Sequence, residues 1–281
     1  MAITNFQQTI WSRKIQTQLD TITSLKDHSD FQFEGDIKFA KEVKILNVVR
    51  PTIRTYVPGT SLTREAGTDG SQLLQINQYR YFDFEVEDID KAQSVPGLIE
   101  NLTKEATLGL SEEADKYIAS IVATDVALTT PNVSVGTATD ISGVTDGGVS
   151  LLEKGFQKLY ENNCKVSDNY HLEITPEWYT ILRPYIISLD TNNSDLIKKG
   201  YVGHYGNALI SIENNLGTAT VSSHSCKLAM LRTTKAIAFA GQIDKVEAYR
   251  PHDAFQDALK GLYVFGARIV RPEQIYVFPI Y

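Results

Sequence analysis

An α+β fold is what this sequence predicts, on three observations. Strand-like and helical segments alternate through the first two thirds and then give way to strands alone, whereas a doubly wound fold would keep interleaving helices. One amphipathic stripe of about 24 residues follows Pro96, longer than an ordinary helix in a small domain. The 281 residues are 42% hydrophobic and 22% charged, ordinary globular proportions that exclude a wholly disordered chain. That length suits one or two lobes.

Residues 1–45 do not read as a compact unit. Phe6, Ile10, Ile15, Leu19, Ile22 and Leu25 are isolated apolar points, and Asp27 to Asp36 are polar and turn-rich around Gly35. The segment is either an N-terminal arm lying along another surface, its own subunit's or a neighbour's, or a small folded piece. Strand letters begin at Val43, continue from Ile53 to Val57, and turn at Pro58-Gly59. After a polar stretch with Gly67 and Gly70 comes the cleanest alternation in the chain. Phe82, Phe84 and Val86 share one face, and Asp83, Glu85 and Glu87 the other. A two-stranded ribbon from near residue 53 to near residue 89 is expected, leaning on a neighbour because isolated ribbons are marginal in water.

The helix after Pro96 carries Leu98, Leu102, Ala106, Leu110, Ala114, Tyr117 and Ile121 on one stripe. Pro96 and Glu100 suit its first turn. Gly109 inside it costs about 1 kcal/mol relative to Ala and suggests a close contact. Residues 130–148 read as a loop or small hairpin. Val149, Leu152, Phe156, Leu159 and Tyr160 mark a second helix, and residues 170–174 a short strand. Thr175 caps a third helix carrying Trp178, Leu182, Ile186 and Leu189, which Pro184 should kink or divide. The remainder reads as strands over 208–212, 228–231, 236–240, 245–249 and 262–270, with 275–278 added as an edge.

Chemistry is hard to find. No phosphate-cradling glycine loop, zinc-protease helix or nucleophile elbow is present. His224 and Cys226 stand two apart, yet no second pair completes a metal site. Gly200 to Gly206 resembles a ligand loop, but tight turns explain its glycines better. Asp83, Glu85 and Glu87 suit a solvated or salt-bridging face better than catalysis. No catalytic, cofactor-binding or metal-binding residue is therefore expected, and no cofactor. A net charge of -7 opposes a broad phosphate-binding surface. Two cysteines exclude a disulfide scaffold and fit small buried groups in a reducing compartment, with a bridge or a reactive thiol left open. The first residues lack the basic cluster and apolar core of a secretory signal, and no apolar run approaches the roughly 18 residues of a membrane helix. Fourteen tyrosines hint at contact surfaces.

The order of elements resembles the major capsid proteins of tailed bacteriophages, the family with the Hong Kong 97 type fold. Three passages carry the resemblance: residues 82–93 running into the helix of 98–121; residues 200–204 through 212–216; and residues 246–251, 257–267 and 270–273. The resemblance implies an N-terminal arm over 1–45 and a peripheral strand with an extended β loop over 46–95. It further implies a peripheral domain with a long spine helix over 96–148, an axial domain over 149–242, and returning peripheral strands over 243–281. It implies a structural protein, not an enzyme, that assembles with itself into pentamers and hexamers of an icosahedral head shell around double-stranded DNA, bound without sequence specificity. The protein would be made in the host bacterial cytoplasm and end in the virion, with a separate scaffolding protein and a portal protein as partners, a decoration protein left open, and no membrane. Phe82, Asp83, Phe84, Glu85 and Glu87 are then candidate intersubunit contacts, with Arg54 and Arg64 as basic partners and Arg50 a further candidate. An encapsulin-like nanocompartment shell, another virion protein and a small-molecule enzyme of unrecognised class are the alternatives.

Overall fold

The computed structural model describes residues 23–33, 42–48, 52–56, 58–59, 61, 69–87, 98–144, 146–188, 203–249 and 256–281. In chain order its elements are β1 (Glu42–Val48), β2 (Asp69–Gln75), β3 (Gln78–Glu87), α1 (Leu98–Val126), β4 (Ser134–Val135), α2 (Val149–Glu161), β5 (Tyr170–Ile174) and α3 (Pro176–Ser188). Then follow β6 (His204–Tyr205), β7 (Ala208–Ile212), β8 (Thr218–Val221), β9 (His224–Thr233), β10 (Ile237–Tyr249), β11 (Gln256–Ile269) and β12 (Ile275–Ile280). β1 and β2 form a ribbon, β10-β11-β3 a three-stranded antiparallel sheet, and β4-β12-β9-β5-β7-β6 a larger sheet joined by β8 along β9. The α+β reading holds.

The ribbon is not where the alternation placed it. Glu42 pairs with Gln75 and Val48 with Asp69, so the returning strand is β2. The phenylalanine strand β3 pairs instead with β11, Phe82 opposite Gly261 and Asp83 opposite Lys260. Alternation reports that one face of a strand is buried; it says nothing of which strand lies beside it. The ribbon's base has its own support, because Val43, Ile45, Leu74 and Ile76 close a small core with Ala238, Ala240 and Val270. Gly266 permits that seating, since a Cβ there would stand 2.1 Å from the carbonyl oxygen of Gln75.

Helix α1 spans 29 residues, about 44 Å of rod at 1.5 Å per residue. Only its second half enters the core. Ala114, Ile118, Ala119, Val122 and Val126 are buried, whereas Leu110, Tyr117 and Ile121 are only partly covered. The expected stripe is therefore rotated and shortened. Tyr117 meets Phe265 of β11 edge-on at 5.7 Å, and the Ala119 carbonyl leaves room only for a glycine at 217, so the helix braces both sheets. Gly109 makes no close approach, with no heavy atom within 4 Å of a Cβ added there. Ile118→Ala should thus cost about 2–5 kcal/mol, and Leu110→Ala distinctly less. Urea denaturation of both variants checks this; equal losses would return the whole stripe to the core.

In the larger sheet β12 lies inside, between β9 and β4, and is not the edge its short run suggested. Strand pairing thus groups residues 275–280 with β5, β7 and β9. α2 lies across β12, Gly155 admitting the Phe278 ring, where an added Cβ would stand 2.6 Å from it. Thr175 does cap α3, its hydroxyl accepting from the Trp178 amide at 3.2 Å. Trp178 is fully buried, donates from Nε1 to the Gly147 carbonyl and meets Phe278 edge-on. Pro184 neither divides nor ends α3, which runs on to Ser188. The proline is exposed, so the carbonyl deprived of its amide partner can be hydrated. Residues 236–240 and 245–249, separate in the sequence reading, form one strand, β10.

Candidate functional site

The acids of β3 already have partners inside the subunit. The Tyr249 hydroxyl donates to both Asp83 oxygens, at 3.1 and 3.3 Å, which raises its own pKa. Glu85 accepts from the Gln256 amide. Phe82 and Phe84 are half-buried and stack at 6.0 Å, with Phe82 across Gly261. Glu87 ends β3 opposite Gln256. Arg54 is exposed and, among the described residues, makes no ion pair with Asp83 or Glu85; Arg50 and Arg64 lie outside the described residues. Nearby, Lys260 pairs with Glu247 at 3.3 Å and sits over the Tyr249 ring. Five exposed large apolar residues fall between residues 46 and 81: Leu46, Ile53, Tyr56, Tyr79 and Tyr81.

A second constellation is deeply buried. Residues 23–33 run across the subunit body and are held by charged groups of α1, β5 and β9 and by Glu213, just after β7. Arg232 of β9, fully buried, grips Glu173 of β5 through Nε and Nη2, with bonds of 2.7–3.1 Å. Its remaining donors reach the carbonyls of Leu25 (2.7 Å) and His28 (3.0 Å), and the Ser29 hydroxyl. His28 Nδ1 lies 3.1 Å from Glu173, and its ring stacks on His171 at 3.9 Å. The Ser24 amide and hydroxyl both donate to Glu213, and the Lys26 amide donates to Asp115 of α1 at 2.9 Å. Leu25 is fully buried in the main core, and Asp30 bonds with Ile237 and Phe239 at the start of β10. The surface that this part of the expected arm needs is its own subunit; residues 1–22 lie outside the described residues.

The electrostatics separate the three carboxylates. Burial opposes charge on Glu173, but Arg232 and His28 outweigh it and hold its carboxyl below the usual range. Burial pushes Asp115 up to about 6 and Glu213 up to about 7, with the neighbouring carboxylates adding to the rise and the Lys26 and Ser24 donors opposing it. One oxygen of each, Asp115 Oδ2 and Glu213 Oε2, is buried and accepts no hydrogen bond among the described residues. Burial likewise pulls His171 down to about 4, with His28 beside it.

No protein-family model matches the chain, and no curated protein matches its sequence. Solved structures do match, end to end. A structure from Mycobacterium phage Che8 is 26% identical, covers 99% of this chain and 98% of its own, and superposes with a TM-score of 0.80. The capsid structure of the Cyanophage P-SCSP1u follows at 17% identity, 99% and 93% coverage and a TM-score of 0.76. The mature capsid of bacteriophage PhiM1 matches at 12% identity, 98% and 92% coverage and a TM-score of 0.68. The chain shares the Hong Kong 97 type fold with these phage structures.

Other candidate groups of the chain have structural explanations. Cys226 points into the core while His224 stacks on Tyr281 at 4.1 Å, and both cysteines are free and buried. Gly206, with φ of 56°, turns β6 into β7, whereas Gly200 lies outside the described residues. Among the described residues no three His, Cys, Asp or Glu gather as a metal site, and no helix is long and apolar enough to cross a membrane. The clasp around Arg232 escaped the sequence reading, although Glu173 and Arg232 each put a charge next to a run of buried apolar residues.

Proposed function

We propose that the protein is a phage major capsid protein, a structural component of the virion's shell, and that it assembles into pentamers and hexamers that close an icosahedral head around double-stranded DNA. The observation that carries this reading is the ribbon, whose base is built into the subunit while Leu46, Ile53 and Tyr56 stay exposed. A side chain such as Ile53, 82% exposed, gains nothing in an isolated subunit and a great deal beneath a neighbour. In this reading the ribbon is the extended loop, the three-stranded sheet with α1 the peripheral domain, and the larger sheet, β12 included, the axial domain. Phe82, Asp83, Phe84, Glu85 and Glu87, with Arg54 and Arg64, lie toward neighbouring subunits, their weak exposed pairs multiplied by repetition. A separate scaffolding protein and a portal protein complete assembly, DNA is held without sequence reading, and synthesis takes place in the host bacterial cytoplasm.

Purified protein, alone and with a scaffolding protein from the same genome, should give rings, shells or tubes in sedimentation and electron microscopy. Raising salt should loosen these more than it shifts subunit melting. A monomer under every condition would overturn the reading.

A further inference from the structure

The clasp holding residues 23–33 has an asymmetry. Arg232 pairs with one carboxylate, Glu173, but Asp115 and Glu213 also face the segment, and among the described residues neither has a cation bonded to it. Each accepts with one oxygen from a backbone amide of the segment, that of Lys26 for Asp115 and of Ser24 for Glu213, and buries the other without a partner among the described residues. A buried carboxylate oxygen without a donor favours the protonated acid, and each charge raises the cost of the next. The groups around this pair are Lys26, Asp27 and His28 of the segment, His171 and Glu173 of β5, and Arg232 of β9. Lys26 directs its ammonium away, over the rings of Phe239 and Tyr263. Asp27 adds to the repulsion on Asp115.

We propose that residues 23–33 are a proton-tuned latch on the subunit body, held more tightly while the buried Asp115 and Glu213 carboxyls carry protons and loosened as both ionise. The sign follows from linkage. Both acids bind protons more tightly docked than free, so their contribution to docking is complete in acid and is lost as pH rises through about 6 for Asp115 and about 7 for Glu213. His171 acts the other way, its contribution being lost as pH falls from the ordinary histidine range toward about 4. Glu173, held below the usual range by Arg232, stays ionised throughout. Between roughly pH 8.5 and pH 5.5 the two acids strengthen docking by on the order of a hundredfold and His171 removes about tenfold, leaving a net gain of about tenfold. The latch belongs to the subunit alone and is independent of which surfaces meet in a shell.

Hydrogen exchange on the full chain tests it, with protection factors corrected for the intrinsic pH dependence of exchange. The Ser24 and Lys26 amides should gain about tenfold protection from pH 8.5 to pH 5.5. Amides of β9 and β12 should change far less. In Asp115→Asn/Glu213→Gln, which imitates the protonated pair, the gain should vanish and the trend reverse, leaving the His171 effect. A wild-type profile that is flat, that falls toward acid, or that rises equally in β9 and β12 would overturn the latch. So would a double variant that keeps the rise. If that variant does not fold, the wild-type profile decides alone.

Discussion

Replacing Arg232 with Met should destabilise the subunit by about 3–5 kcal/mol, among the largest losses expected of a single substitution. The guanidinium is fully buried and satisfies four partners: the Glu173 carboxylate, the Leu25 and His28 carbonyls and the Ser29 hydroxyl. Without it a buried carboxylate keeps only His28, and two backbone carbonyls of the docked segment lose their donors. Breaking a buried pair on one side leaves an uncompensated charge, whereas removing both sides together can be nearly neutral. Arg232→Met/Glu173→Met should therefore recover a large part of the loss, and chemical denaturation of the two singles and the double measures it. The loss in Arg232→Met should also appear as faster exchange at Ser29 and Asp30, because the segment is held through Arg232. A double variant no more stable than the singles would mean that the carbonyl contacts, and not the ion pair, dominate.

Features that one segment decides were legible in the sequence. The stripe of α1, the Thr175 cap and the alternation of β3 each report local burial, and the structure has a helix, a cap and a half-buried strand in those places. Features that depend on partnership were not. β2 is built from Asp-Gly-Ser-Gln-Leu-Leu-Gln, with poor strand letters at one end, and becomes a strand because Leu74 seats in a core shared with Val43 and Ala240. β12 looked like an edge because four apolar letters cannot say how many neighbours they have. The buried clasp left a trace that could have been read. Glu173 follows Leu172, and Arg232 closes the apolar run Leu228 to Leu231, so each puts a charge beside buried apolar residues, and a charge there requires a partner. Pairing the two would have predicted β5 beside β9, which is the observed register neighbourhood of His171 opposite Arg232.

The exposed apolar residues of the ribbon should decide assembly without touching the fold. Leu46, Ile53 and Tyr56 are 66%, 82% and 61% exposed, so changing all three to Ser should shift subunit stability by no more than about 0.5 kcal/mol each. If a neighbour covers them in the shell, each contributes up to about 1.5–3 kcal/mol to association. Since about 1.4 kcal/mol is a factor of ten, the concentration needed for assembly should rise by roughly three orders of magnitude or more. Sedimentation of the triple variant beside the unchanged protein reads this directly. Leu74→Ala, on the adjacent strand of the same ribbon but fully buried, supplies the contrast, because it should weaken the subunit itself by about 2–5 kcal/mol. Normal assembly of the triple variant would detach the ribbon from the lattice and move the search for contacts to Tyr79 and Tyr81 on β3. Lost assembly accompanied by lost folding would instead mean that the exposed side of the ribbon is held within the subunit.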